Sequence, residues 1–238
     1  MPVSWKALYE SHVMGVYALT LLPALFLGML AARGLAADGG VEPYAARFVR
    51  GWALVFALIA LVDPLTTGLL GWPFLPFVLL GDYRVFALVF VVMQPGRSRV
   101  EALAEAALWT LVVPGLAYGG YRGLGVLVGP QPETILWLVY EVAFALLALG
   151  MSARVVRARV GVERGPVRRY VHTVLGVVVA YYVLWAAADV IILSGRDWGW
   201  GLRVVPNLLY YGVLVPVAYA RFFPSAMAPT SSSTQASR

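Results

Sequence analysis

Apolar runs of about twenty residues, broken by short polar or glycine- and proline-bearing stretches, succeed one another from Val13 to Phe223. In a helix, a run of that length matches the hydrocarbon thickness of a bilayer. The pattern predicts an all-α, polytopic integral membrane protein with seven transmembrane helices. The expected spans are residues 13–32, 51–72, 73–93, 102–118, 134–152, 170–193 and 202–223. The second and third form a tight hairpin about Gly71-Trp72-Pro73. Trp5, Lys6 and Tyr9 suit a short interfacial segment before the first span. A cleaved leader is disfavoured there, because the apolar run is too long and Glu10 precedes it. Residues 34–50, 94–101, 119–133, 154–169 and 194–201 are expected as connections. Residues 1–223 form one transmembrane domain, and 224–238 form a small-residue, polar tail expected to be disordered.

Positive charge orients the bundle. Arg33, Arg47, Arg50, Arg97, Arg99, Arg154, Arg157, Arg159, Arg164, Arg168, Arg169, Arg221 and Arg238 fall at one set of span ends. Only Lys6, Arg122, Arg196 and Arg203 fall at the other, and Arg84 lies within a span. The rule that positive loops stay inside predicts an outside N-terminus and a cytoplasmic C-terminus, in a bacterial-type plasma membrane.

Composition agrees with bilayer as the solvent. Hydrophobic residues make up 61% of the chain and charged residues 13%, against about half and a quarter in soluble domains. The net charge of +6 is accounted for by topology, so no nucleic-acid partner is inferred. The expected partners are the lipid bilayer and a small-molecule, ion or lipid ligand. Cysteine is absent, which removes disulfides, thiolate metal sites and a cysteine nucleophile. Lys6 is the one lysine and lies outside the spans, which removes a retinal Schiff base. His12 and His172 are expected on opposite membrane faces, so they do not share a metal or a haem. Phosphate-loop, dinucleotide, zinc-protease and nucleophile-elbow motifs are missing from the chain, and no cofactor is indicated.

The candidate chemistry lies in the polar residues within the spans, since a charge at such depth is costly and usually marks a site. Asp63 stands nine residues before Trp72 and Asp82 nine after Pro73, so both lie about 13 Å below the same face. Glu141, Asp189 and Asn207, followed by Tyr210 and Tyr211, fall in the same outer half. Asp82 and Arg84 are about 200° apart around their helix and must find partners elsewhere. Four carboxylates against one deep arginine predict that at least one holds a proton. Pro64 frees the carbonyl of Ala60, with Thr66 and Thr67 beside it. Tyr182, Trp185 and Asp189 share one helix face, as do Trp137 and Glu141. Each has a plainer reading: Asp189 at the interface, Glu141 snorkelling, Asn207 capping a helix, and Arg84 as a structural counter-ion.

These residues point to a transporter or cation- or proton-coupled permease with an outward-facing acidic pocket. Its binding residues would be Asp63, Asp82, Arg84, Glu141, Asp189, Asn207, Tyr210 and Trp185. The alternatives are an enzyme acting on lipid in the outer leaflet and a sensor with a ligand pocket. Asp63 and Asp189 are offset by 126 residues, as are Trp72 and Trp198. Parallel repeats joined by the fourth span would resemble the 3+1+3 plan of SWEET-type sugar transporters, although Pro23 has no counterpart in the fifth span.

Overall fold

The computed structural model describes residues 4–11, 19–35, 40–70 and 75–224. It is all-helical, 88% helix with no strands among the described residues. A short helix α1 (Trp5–Tyr9) is followed by α2 (Leu19–Arg33), α3 (Ala46–Leu70), α4 (Leu75–Met93) and α5 (Arg99–Val128). Then come α6 (Glu133–Arg159), α7 (Gly165–Leu193) and α8 (Trp198–Phe222). The six helices α3 to α8 are long and apolar enough to cross a membrane, which makes this a helical membrane protein. Of the expected first span, α2 is described and has 15 residues, about 22 Å of helix. The hairpin turn at Gly71-Trp72-Pro73, His12 and the tail from Ser225 lie outside the described residues.

Helix α4 forms the centre. From Arg84 to Met93 every residue is buried, as expected of a helix that is apolar all round. α5 and α7 lie against it and Tyr210 of α8 reaches it, α6 packs along α7, and α2 along α3. The C-terminal end of α4 exposes carbonyls with no partner inside the helix. Tyr44 donates its hydroxyl to Val91 O and Val92 O, at 2.6 and 2.5 Å. Arg164 donates to Met93 O at 2.8 Å while pairing with Glu42 at 2.8 Å. Arg159 of α6 meets Glu105 of α5 at 2.8 Å, and Val41 N–H donates to Phe222 O at 2.9 Å. The arginine-bearing segments thus gather at one end of the bundle, as alternating antiparallel helices require.

Three expected connections are instead largely helical. α5 does not stop at Tyr118 but runs on through Gly119, Gly120, Gly123 and Gly125 to Val128. Glycine weakens a helix in water, but apolar surroundings offer the backbone no other partners. The 2.8 Å bond from the Tyr121 hydroxyl to Gln131 O ties the extension to the segment that follows it. Gly129, at φ +89°, ends it in a conformation that favours glycine. The basic stretch 154–169 is helical except near 160–164. α6 continues to Arg159 through a π-helical turn at Met151–Val155, and Pro166 opens α7, a position where its missing N–H costs nothing. The aromatic stretch 194–201 turns helical at Trp198.

Candidate functional site

At the end opposite the arginine cluster, a cavity of about 400 Å³ opens between the first turns of α4, α6 and α8 and the last turns of α7. Its walls are mainly aromatic: Trp137 and Tyr140 from α6, Tyr182 and Trp185 from α7, and Tyr210 and Tyr211 from α8. Glu141, Arg203 and Asn207 supply the polar groups, Val78 comes from α4, and Tyr9 comes from α1. α1 is seated by its own N-terminus. The Asp197 carboxylate accepts from the N–H of Trp5 at 2.6 Å and of Lys6 at 3.1 Å, while Ser4 Oγ accepts from Ala7 N at 3.1 Å. Those are three of the four donors that a helix start leaves unmet. Tyr9 packs on Trp200, with ring centroids 5.6 Å apart, and accepts from Asn207 Nδ2 at 3.0 Å.

The acids occupy two layers. Glu141 lines the cavity itself; it is 6% exposed, and its buried Oε2 has no hydrogen-bond partner among the described residues. The other three stand behind the wall, each attached to a residue that lines it. Asp82, fully buried, accepts from the hydroxyls of Tyr140 and Tyr182, one on each carboxylate oxygen. Asp63 accepts from Tyr211 at 2.6 Å, and the Thr67 hydroxyl oxygen lies 3.3 Å from its Oδ1. Asp189, also fully buried, accepts from Arg203 Nε at 2.7 Å and from its Nη2, both on Oδ1, leaving Oδ2 without a partner. Among the described residues of the second and third expected spans, only Val78 lines the cavity.

Arg84 is placed by α8. Its Nη2 donates to the main-chain carbonyl of Tyr210 at 2.6 Å, and its guanidinium carbon lies 4.2 Å from the centroid of the Tyr210 ring. That carbonyl is available because α8 passes through a π-helical turn at Leu209–Val213. Leu214 N–H bonds Leu209 O rather than the Tyr210 O that an α-helix would use. Among the described residues no carboxylate comes within ion-pair distance of Arg84, although its charge acts on both Asp63 and Asp82. Tyr210 can lie so deep because Gly81 leaves room: a Cβ there would sit 1.4 Å from the Tyr210 hydroxyl.

The expected site residues therefore separate by position. Glu141, Trp185, Asn207 and Tyr210 line the cavity; Asp63, Asp82, Arg84 and Asp189 support it from behind. Asn207 does not cap a helix start. It bridges Trp185 Nε1, at 3.1 Å, and Tyr9. Thr66 and Thr67 spend their hydroxyls on carbonyls of their own helix, at 3.0 Å to Val62 O and 2.7 Å to Asp63 O. Arg203, expected among the positive charges at the outer span ends, is instead the cation paired with buried Asp189. Its place beside that acid on the adjoining helix was the available signal. The roles of Tyr140 and Tyr182 had none, since a tyrosine within a span reads equally well as packing. Asp63 and Asp189, offset by 126 residues, have unlike partners, Tyr211 and Arg203. Comparison with known protein families, curated proteins and solved structures returns no match.

Proposed function

We propose that the protein is a membrane permease that admits a small ligand to this cavity and couples its passage to a proton or cation at the buried acids. The observation that carries this reading is the cavity itself: about 400 Å³, within the range of small-molecule sites, with a carboxylate in its wall that has no hydrogen bond on Oε2. The charge ledger supports it. Asp63, Asp82, Glu141 and Asp189 are buried and, among the described residues, Arg84 and Arg203 are the cations that act on them, and such an imbalance favours exchange of a positive charge. The tyrosine hydroxyls joining Asp82 and Asp63 to the wall give a proton short paths between the cavity and those acids.

On this reading the chain crosses the membrane seven times. The arginine end faces the cytoplasm by the positive-inside rule, so the cavity opens outward. Glu141 is the residue a ligand meets. Asp82 and Asp63 hold or release the coupled charge, and Arg84 offsets part of the negative charge they carry when ionised.

The test is reconstitution in liposomes carrying an internal pH dye, challenged with a panel of small ions and organic solutes. Solute-dependent proton movement is expected, falling at least tenfold when Asp63→Asn and Asp82→Asn are combined. Flux indifferent to that pair rejects the coupling role. A lipid product without flux would replace the permease with an enzyme, and saturable binding with neither would replace it with a sensor.

A further inference from the structure

We infer that the ligand is a small organic cation, an alkylammonium or quaternary ammonium group held against Glu141 by aromatic faces. This rests on the reading of the cavity as a permease's binding site.

The charge at the cavity is the first reason. Glu141 and Asp189 interact electrostatically with one another and share one cation, Arg203. Arg203 commits two nitrogens to Asp189 Oδ1, whereas Glu141 Oε2 accepts no hydrogen bond from the described residues. With both carboxylates ionised, one guanidinium leaves one negative charge to be balanced, by a proton or by a bound cation, and Glu141 is the one that lines the cavity. A buried carboxylate without a counter-charge is costly, and a monovalent cation in the cavity would remove that cost.

The walls narrow the chemistry. Tyr182, Trp185 and Tyr210 form a continuous ring cluster, with centroids 5.6 Å apart between the first two and 5.4 Å between the last two. Trp137 and Tyr140 extend it beside Glu141, with their rings 5.9 Å apart. Aromatic faces attract cations through the ring quadrupole, most strongly when desolvated, and such cages are the usual means of holding quaternary ammonium. A hard metal ion needs several oxygen ligands instead, and among the described residues no three carboxylates or histidines converge. The same fold already uses the contact: Arg84 lies over the other end of this cluster, at the Tyr210 ring.

The full chain in lipid nanodiscs would be titrated with tetramethylammonium, following tryptophan fluorescence, alongside neutral tert-butanol and anionic pivalate. Saturable quenching by tetramethylammonium alone is expected, weakened at least tenfold in Glu141→Gln, a variant of equal size. Equal responses to the three probes, or an undiminished response in a Glu141→Gln protein that unfolds at the wild-type temperature, would overturn the assignment. The comparison of probes needs no variant and so stands even if the substitution fails to fold. Failure of the permease reading looks different: tetramethylammonium binds and depends on Glu141, but no solute flux appears in liposomes. Flux of another solute without tetramethylammonium binding would instead overturn only the organic-cation assignment.

Discussion

The guanidinium of Arg84 and the main-chain carbonyl of Tyr210 meet at 2.6 Å in the middle of the bundle, so a side chain of α4 occupies a position normally filled by α8's own backbone. Arg84 also stands over the Tyr210 ring and is the cation acting on Asp63 and Asp82. Removing it leaves a carbonyl without this donor and two acids without their cation. Arg84→Met is expected to destabilise the protein by about 3–5 kcal/mol, measured as thermal unfolding in detergent. Adding Asp82→Asn should recover part of that loss. Full stability in the single variant would show that the arginine is dispensable.

Asp82 distributes its two oxygens between Tyr140 and Tyr182. Each tyrosine-to-phenylalanine change removes a hydrogen bond to a carboxylate, at about 1.5–3 kcal/mol. Because both donors serve one acceptor, the two changes should not add. A double-mutant cycle on Tyr140→Phe and Tyr182→Phe is expected to give a coupling of at least about 0.5 kcal/mol. Simple additivity would mean that the two bonds are independent.

Gly81→Ala places a methyl group where the Tyr210 hydroxyl already sits. α4 and α8 must separate or Tyr210 must leave its place, at about 1–3 kcal/mol. Tyr210→Ala in the same chain removes the obstruction. Gly81→Ala should then cost much less in the Tyr210→Ala background than in the wild type, as read by melting temperature.

Asp197 satisfies the first two N–H groups of α1. Replacing it with alanine is expected to cost about 1 kcal/mol, the usual value of a lost helix cap. Most of that loss should be local to α1. Hydrogen exchange at Ala7 and Leu8 should quicken while the core of α4 keeps its protection. Unchanged exchange at α1 would show that Tyr9 and Trp200 hold the segment without help.

Element identity was readable in the sequence because a membrane allows few alternatives: a backbone in hydrocarbon must bond to itself, so apolar length alone marks a helix. The same constraint explains where the reading fell short. Glycines at 119, 120, 123 and 125 would end a helix in water but do not end α5, so punctuation learned from soluble chains misplaced its boundary. Depth and helical phase brought out Glu141, Trp185, Asn207 and Tyr210, all of which line one cavity. They also excluded a pairing of Asp82 with Arg84. Which helix would answer each acid was not legible, because partners such as Tyr211 for Asp63 depend on how helices far apart in sequence are arranged. Arg203 was hidden for a related reason: counting positive charges by loop treats every arginine near a span end as solvated.

The π-helical turn at Leu209–Val213 fits one residue more into α8 than a regular α-helical turn would hold. Rewinding it to regular α-helix would return the Tyr210 carbonyl to Leu214 and turn one half of α8 against the other by about 100°, one residue's rotation. Tyr210 would leave Arg84 and Gly81, and Tyr211 would leave Asp63, in a single motion. One extra residue in one helical turn therefore sets the wall of the cavity and the anchoring of the buried charges together, and neither can change without the other.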